Sequence, residues 1–519
     1  MQKGQLVELT IEDMSNEGQG IGRAEGLVIF VPDTVPGDQV RAELTKVKKN
    51  YAFSRLVELI EPSDARSREF DCEFFERGCG GCGYGRLTYE AQVALKERQV
   101  REKLQRLAGL NDPKVWPIVA MKEEDNEGMG PFRYRNKAQF PVSTGGIITR
   151  KGGVVENLGE PAVGFYRAKS HEVVDCTDCY LQSLAAMAAA DALRRFMAED
   201  NITAWDPKWE KGLLRHLIVK TAFNTGEVMV ILVINGKGIP NAQKLIEMLD
   251  DAIYDVGYSL ESVVFNVNRS PGKSIMGEEN IVIAGKPVIR ETVGDLTFEI
   301  SPHSFYQVNP VQMKRLYDKV KEYCGLSDEL SDGTEGSFDI GRTKPERNNE
   351  NAPVILDLYC GVGTIGLYCA NEAGFIIGIE SVKEAVVDAN RNAVINGIVN
   401  ARYICGKAEE MLGEYAEAAD SGKSEASGKV LDSELIRRIR CANIAILDPP
   451  RAGCKPELLQ AVASLGVQRI VYVSCDPATL ARDVKLLGEL DYEFQEATPV
   501  DMFPWTTEVE CVALLTQYQ

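Results

Sequence analysis

The sequence predicts a multidomain α/β protein: a small OB-like β-barrel, an α+β middle segment with clustered cysteines, and a carboxyl-terminal doubly wound α/β domain. Three observations predict it. The chain has 519 residues, more than one ordinary hydrophobic core fills. Its first 62 residues are short β-rich runs broken by glycine. From about residue 301 onward, strand and helix patterns alternate, as they do in a parallel sheet with both faces covered.

The barrel is read over 1–62. LVELTIEDM, GLVIFVPDT, DQVRAELTKVKKN and SRLVELIEP alternate in the strand manner, with turns at Gly18, Gly20, Gly22, Gly26 and Pro36-Gly37. Arg41, Lys46, Lys48, Lys49 and Arg55 crowd RAELTKVKKNYAFSR, with Tyr51 and Phe53 beside them. That pattern fits an RNA-gripping surface with rings for stacking; a solvated strand face is the plain alternative.

The middle segment spans 63–300. It opens on CEFFERGCGGCGYG, and a helix over about 88–110 follows, a candidate to pack on the third domain. FRYRNKAQFPV, AVGFYRAKSHEVVDC, GLLRHLIVKTAF, GEVMVILVIN and SVVFNVNRS then read as strands. Arg133, Arg135 and Lys137 recur at period two, which predicts one shared basic strand face.

The third domain spans 301–519. VILDLYCGVG, FIIGIE, ARYICG, NIAILDPP and RIVYVSC are its predicted strands. Two polar stretches, about 326–352 and 413–437, read as mobile surface insertions.

Composition bounds the function. No apolar run is long enough to cross a bilayer, and the start, MQKGQLVELTIEDM, lacks the apolar core of a leader, so a cytoplasmic monomer without membrane partners is expected. Thirteen cysteines without such a leader point to reduced thiols, metal ligands or catalysis. A net charge of -19 excludes wholesale wrapping of nucleic acid, but not a local basic groove.

Gly361, Gly363 and Gly366 form G-x-G-x-x-G between a strand and a helix, where the backbone can approach a ligand. FIIGIE ends in Glu380, placed to bind ribose hydroxyls. These features suit NAD and S-adenosylmethionine alike. Asp357 before the glycines, and the stiff strand end Asp448-Pro449-Pro450-Arg451, favour the methyl donor. Further on, VYVSCDPATLARD puts Cys475 at a strand end in a proline-bounded turn. Such a turn exposes a sulfur in a fixed direction, as a nucleophile requires.

SPHSFYQVNP, DLYCGVGTIGL, ILDPPRAG, VSCDPATLARD and DMFPWTTEVE occur in order, and together they resemble the RNA uracil-5-methyltransferase family. The barrel resembles the TRAM domain that many members carry. The resemblance implies a Rossmann-like class I methyltransferase domain and S-adenosylmethionine as donor. It implies Cys475 as nucleophile, Glu510 as general base, and Gln307, Tyr359, Glu380 and Asp448 at the donor or uracil. Asp476 stands where the family usually has Asn, and Glu508 where it commonly has His. The expected substrate is RNA, and the barrel with the cysteines resembles the branch acting on 23S rRNA. Transfer RNA, a cytosine-C5 reaction, a non-catalytic ribosome-assembly factor and an NAD dehydrogenase are the competing readings.

Cys72, Cys79 and Cys82 form C-x6-C-x2-C, and a fourth ligand is available in VVDCTDCYLQ from Cys176 or Cys179. The resemblance favours Cys179 and implies a [4Fe–4S] cluster. Structural zinc suits four cysteines as well.

Overall fold

The computed structural model describes residues 1–67, 70–150, 153–272, 274–326, 352–421, 425–426, 429–430 and 432–518. The polar stretch predicted over 326–352 lies almost wholly outside them.

The amino-terminal strands close into a barrel in the order Leu6–Met14, Gly20–Ala24, Leu27–Val31, Tyr51–Glu61 and Gln39–Val47. Alternate residues of the first strand turn inward, and Val7, Leu9 and Ile11 join Ile29, Val40 and Leu44 in the barrel core. Two of the predicted basic residues are neutralised on its surface. Arg41 pairs with Glu8 (2.7 Å) and with Glu58, and Arg55 pairs with Glu43 (2.5 Å). Lys46, Lys48 and Lys49 stay exposed at the turn leading into Tyr51. Phe30, Tyr51 and Phe53 cluster there, with ring centroids 5.4–6.0 Å apart.

The middle segment builds a seven-stranded sheet ordered Glu279–Gly285, Ser259–Val267, Glu227–Ile234, Leu214–Thr221, Lys137–Arg150, Gly153–Tyr166 and Val173–Asp175. Strand Glu227–Ile234 shows why its sequence, EVMVILVI, is almost continuously apolar. Val228, Val230, Leu232 and Ile234 face helices Leu184–Glu199 and Ala242–Asp255, while Met229, Ile231 and Val233 face the carboxyl-terminal domain. Both faces are covered, so polar alternation disappears.

The basic face predicted for Arg133, Arg135 and Lys137 does not form. The strand begins only at Lys137. Arg133 has φ 53, and its guanidinium turns inward to the Cys179 carbonyl (2.6 Å) and Asp178 (2.5 Å). Period two requires extended backbone throughout, and the left-handed residue breaks it.

The carboxyl-terminal sheet runs Ala401–Cys405, Phe375–Glu380, Val354–Leu358, Ala442–Leu447, Arg469–Ser474, Glu510–Gln517 and Tyr492–Val500. The first five strands are parallel neighbours, and Glu510–Gln517 is inserted antiparallel. The stretch 413–437 is not simply a polar insertion. It continues helix Ala408–Ser421 and contains most of helix Ser433–Arg440, and its Tyr415, Ala418 and Leu435 are buried in the domain core beside Leu412 and Ile439 of the same helices. Its apolar residues are few but fall at helical spacing, so a count of composition misses them.

Helix Tyr89–Ala108 starts at Thr88, whose hydroxyl accepts from Ala91 N–H, and ends at Gly109 with φ 77. It packs on the carboxyl-terminal domain. Lys96 is wholly buried, and its Nζ donates to Asp501 (2.6 Å) and to the Phe503 carbonyl (2.9 Å). Removing one member of such a pair leaves a buried uncompensated charge, at a cost of about 3–5 kcal/mol. Among the described residues no helix is long and apolar enough to cross a membrane.

Candidate active site

The site lies at the carboxyl ends of the parallel strands, where open α/β sheets gather ligands. Strand Val354–Leu358 ends and the chain turns through Tyr359 (φ 64), Gly361 (φ 54) and Gly363 (φ 78) into helix Thr364–Cys369. The glycines serve different ends. A Cβ on Gly363 would meet the Tyr403 ring at 2.7 Å, and one on Gly366 would meet Asp357 Oδ2 at 2.6 Å. At Gly361 nothing lies within 4 Å of that position, so this glycine faces open space.

Gly361 also lines a cavity of about 30 Å³, together with Gln307, Tyr359 and Asp448, and with Phe305 and Tyr317. Four of the six residues predicted to meet the donor thus share one cavity. Gly363 and Glu380 are not in its lining. Glu380 adjoins it by accepting from Gly361 N–H (3.2 Å), and its other oxygen accepts from Val382 N–H (2.9 Å).

Gln307 is held by a scaffold that the sequence reading missed. Lys220 is buried, and its Nζ donates to the carbonyls of Ser301 (2.6 Å) and Ser304 (2.9 Å). Both serine hydroxyls reach Asp388 Oδ2, and Asn136 donates to the Gln307 carbonyl (2.8 Å). The available signal was a lysine inside the apolar strand LRHLIVKT, since a buried ammonium needs partners.

Cys475 follows strand Arg469–Ser474 and precedes helix Pro477–Gly488. Asp476 caps that helix, its carboxylate accepting from Ala478 N–H (2.7 Å) and Thr479 N–H (3.3 Å). An aspartate performs this cap as well as the usual asparagine. Ser474 pairs with Cys511 across the antiparallel ladder, so the next residues outward are Cys475 and Glu510. Arg451 joins Glu508 at 2.8 Å beside them.

The electrostatics are those of crowded acids. Burial, and then Asp448, push the Glu510 carboxyl up to about 8, while Arg451 opposes. Asp448 rises to about 7 through burial and the nearby Asp357. Burial, and then Glu510, push the Cys475 thiol up to about 12. Asp357 is itself buried and raised to about 7 by desolvation; Oδ2 accepts from Gly366 N–H (3.0 Å), whereas Oδ1 has no partner among the described residues. Arg451 only partly offsets this crowding of acids, and a further cation would lower all four values.

A second cavity, of about 120 Å³, is lined by Cys72, Cys79, Cys82, Cys176 and Cys179, together with Phe70 and Arg135. Gly80 lets the loop approach the end of strand Gly153–Tyr166: its N–H donates to the Tyr166 carbonyl (3.0 Å), and a Cβ would lie 3.1 Å from Ala168 backbone atoms. The Cys176 thiol shares its hydrogen with Cys179, which holds Cys179 below the usual thiol value and pushes Cys176 far above it. The space exceeds what one ion or water occupies, and it suits a polyatomic group. Among the described residues no group of three or more His, Cys, Asp or Glu side chains is arranged to hold a metal ion.

Comparison with known proteins adds to this geometry. Residues 345–518 match the family model described as tRNA (Uracil-5-)-methyltransferase, and residues 1–57 match the TRAM domain. A protein of Caldanaerobacter subterraneus described as an RNA methyltransferase is 39% identical over 99% of this chain and 98% of its own. One of Halalkalibacterium halodurans with the same description is 36% identical over 99% and 97%. Among solved structures, the Pyrococcus abyssi tRNA (uracil-54, C5)-methyltransferase in complex with S-adenosyl-L-homocysteine is 27% identical, with a TM-score of 0.67, covering 98% of this chain and 100% of that one.

Proposed function

The chain belongs to the RNA uracil-5-methyltransferase family and is an S-adenosylmethionine-dependent enzyme; on that premise we propose that it methylates carbon 5 of a uridine in 23S rRNA through a covalent bond between Cys475 and carbon 6. The observation that carries this reading is the ladder register that brings Cys475 beside Glu510, with Asp448, which lines the Gly361 cavity, close enough to act on both.

When bound, the donor supplies an electrophilic methyl on a cationic sulfonium. The chain's residues do the rest. Cys475 Sγ, once deprotonated, adds to carbon 6 and leaves an electron pair on carbon 5, which takes the methyl. Glu510 then takes the carbon 5 proton, the carbon 6–sulfur bond breaks, and the thiolate returns. A carboxyl poised near 8 suits that proton transfer at neutral pH. Gln307, Tyr359, Gly361, Gly363, Glu380 and Asp448 bind the donor, with Glu380 taking the ribose hydroxyls. The uridine must leave its stack to reach this pocket.

Cys72, Cys79, Cys82 and Cys179 would hold a [4Fe–4S] cluster, supported by the cavity they line. Its role in this reading is to staple the middle segment; no redox step is needed.

The barrel together with the thiol cavity supports the ribosomal target. Transfer RNA is the second reading, favoured by the full-length likeness to the Pyrococcus abyssi enzyme. Mapping 5-methyluridine by mass spectrometry in cells with and without the protein decides. Loss from 23S rRNA supports the first reading. Loss confined to transfer RNA replaces it with the second, and no loss from either overturns both.

A further inference from the structure

We infer that the segment Trp505–Thr507 is a brace through which the cysteine-rich loop sets the position of Glu510. This rests on the proposed role of Glu510 as base and adds what holds it. Glu510 opens its strand, so the direction of its carboxylate depends on the residues just before it.

Those residues are fastened to the amino-terminal half of the chain. Trp505 is buried and has φ 68, a conformation that a bulky residue keeps only where its surroundings over-determine it. Its N–H donates to Gln92 Oε1 (2.6 Å), its carbonyl accepts from Tyr84 N–H (3.0 Å), and its indole N–H donates to the Pro131 carbonyl (3.0 Å). The Tyr134 hydroxyl donates to the Pro504 carbonyl (2.9 Å). The indole stacks on Phe132, with centroids 5.0 Å apart and planes 18° apart, and leans on Phe70 at 4.8 Å. Phe70 also lines the thiol cavity, so one ring touches both places.

Gly83 closes the connection. It directly follows Cys82, and a Cβ there would lie 2.6 Å from Thr507 Cγ2, with the next atoms of Thr507 at 3.8 Å. The cysteine loop and the loop before Glu510 are therefore in contact with no space for one further methyl group. Displacing either loop moves the other, and a shift of the base of about 1 Å costs on the order of 100-fold in rate.

Gly83→Ala tests this, because it inserts that methyl group, and Thr507→Ser removes the one it meets. In single turnover on RNA, Gly83→Ala should bind S-adenosylhomocysteine as wild type does. It should release methylated RNA about 10- to 100-fold more slowly, with more protein–RNA adduct surviving denaturation. Gly83→Ala/Thr507→Ser, measured against Thr507→Ser alone, should regain most of the release rate. A defect that acted only through Cys82 would not be rescued. Trp505→Phe, which loses the bond to Pro131, should show the same defect in milder form. Release at the wild-type rate by both Gly83→Ala and Trp505→Phe overturns the brace, as does a double variant no faster than Gly83→Ala. Glu510→Gln run in parallel separates the two claims. If it traps adduct while Gly83→Ala turns over normally, the brace alone fails. If it traps none, the base assignment fails and the brace with it.

Discussion

Cys475 and Glu510 are neighbours at the edge of an antiparallel ladder: Ser474 pairs with Cys511, and each strand continues by one residue to a group that the proposed reaction uses. A thiol and a carboxyl so arranged can act on adjacent carbons of one ring. Glu510 also raises the Cys475 thiol, and Asp448 raises Glu510, which leads to the first prediction.

Binding of a cationic donor should release protons. Glu510 at about 8 and Asp448 at about 7 are raised in the ligand-free site, and a sulfonium beside them lowers both. Groups whose pKa falls on binding make affinity rise with pH, up to their free values. S-adenosylmethionine affinity should therefore climb from pH 6 to about pH 8 and then level. S-adenosylhomocysteine, whose thioether is neutral, should show a shallower climb. Calorimetry in buffers of different ionisation enthalpy measures the protons released. Parallel profiles for the two ligands would contradict this.

Two glycines, one in the donor loop and one in strand Phe375–Glu380, should separate by function. Gly361→Ala adds a methyl group that meets no atom within 4 Å, at φ 54 on a residue lining the donor cavity, so it should weaken donor binding by at least about tenfold with a stability loss of only about 1 kcal/mol. Gly378→Ala would drive a Cβ to 2.0 Å from the Tyr403 ring, so it should lower Tm several degrees more, an overpacking cost of about 1–3 kcal/mol. Thermal melts with and without S-adenosylhomocysteine distinguish them.

Much of this was legible in the sequence, for physical reasons. The barrel, the doubly wound sheet and the Cys475 turn announce themselves because period-two runs, glycine breaks and a proline after the thiol are local signals. Contacts made across the fold leave weaker marks. Arg133 reads as exposed until its left-handed backbone turns it toward Cys179. Lys220 and Asp388, which hold the Gln307 segment, are 168 residues apart in the chain and meet only through Ser301 and Ser304. Helices Ala408–Ser421 and Ser433–Arg440 hide because polar residues outnumber the few apolar ones that anchor them.

RNA grip should depend on the exposed lysines Lys46, Lys48 and Lys49 of the barrel. Replacing Lys46, Lys48 and Lys49 together should reduce the slope of log affinity against log salt by about 2, from counterions no longer released. Arg41→Ala and Arg55→Ala should change the slope less, since glutamates already neutralise both. Filter binding across a salt series measures it; an unchanged slope in the triple variant would contradict the assignment.

The thiol cavity should carry iron. Protein purified without oxygen should be brown, with about four irons per chain. Cys179→Ser should lose the colour, and Cys176→Ser should keep it. A colourless protein holding one zinc would contradict the proposal.

The central claim is a covalent intermediate made by Cys475 and resolved by Glu510, and a denaturing gel of each variant with its RNA and S-adenosylmethionine tests it most directly. Cys475→Ala forms no bond to carbon 6, so it should give no shifted band. Glu510→Gln should add the thiol and transfer the methyl but retain the carbon 5 proton, so a slow-migrating protein–RNA species should accumulate. A shifted band from Cys475→Ala, or turnover by it equal to wild type, would contradict the mechanism.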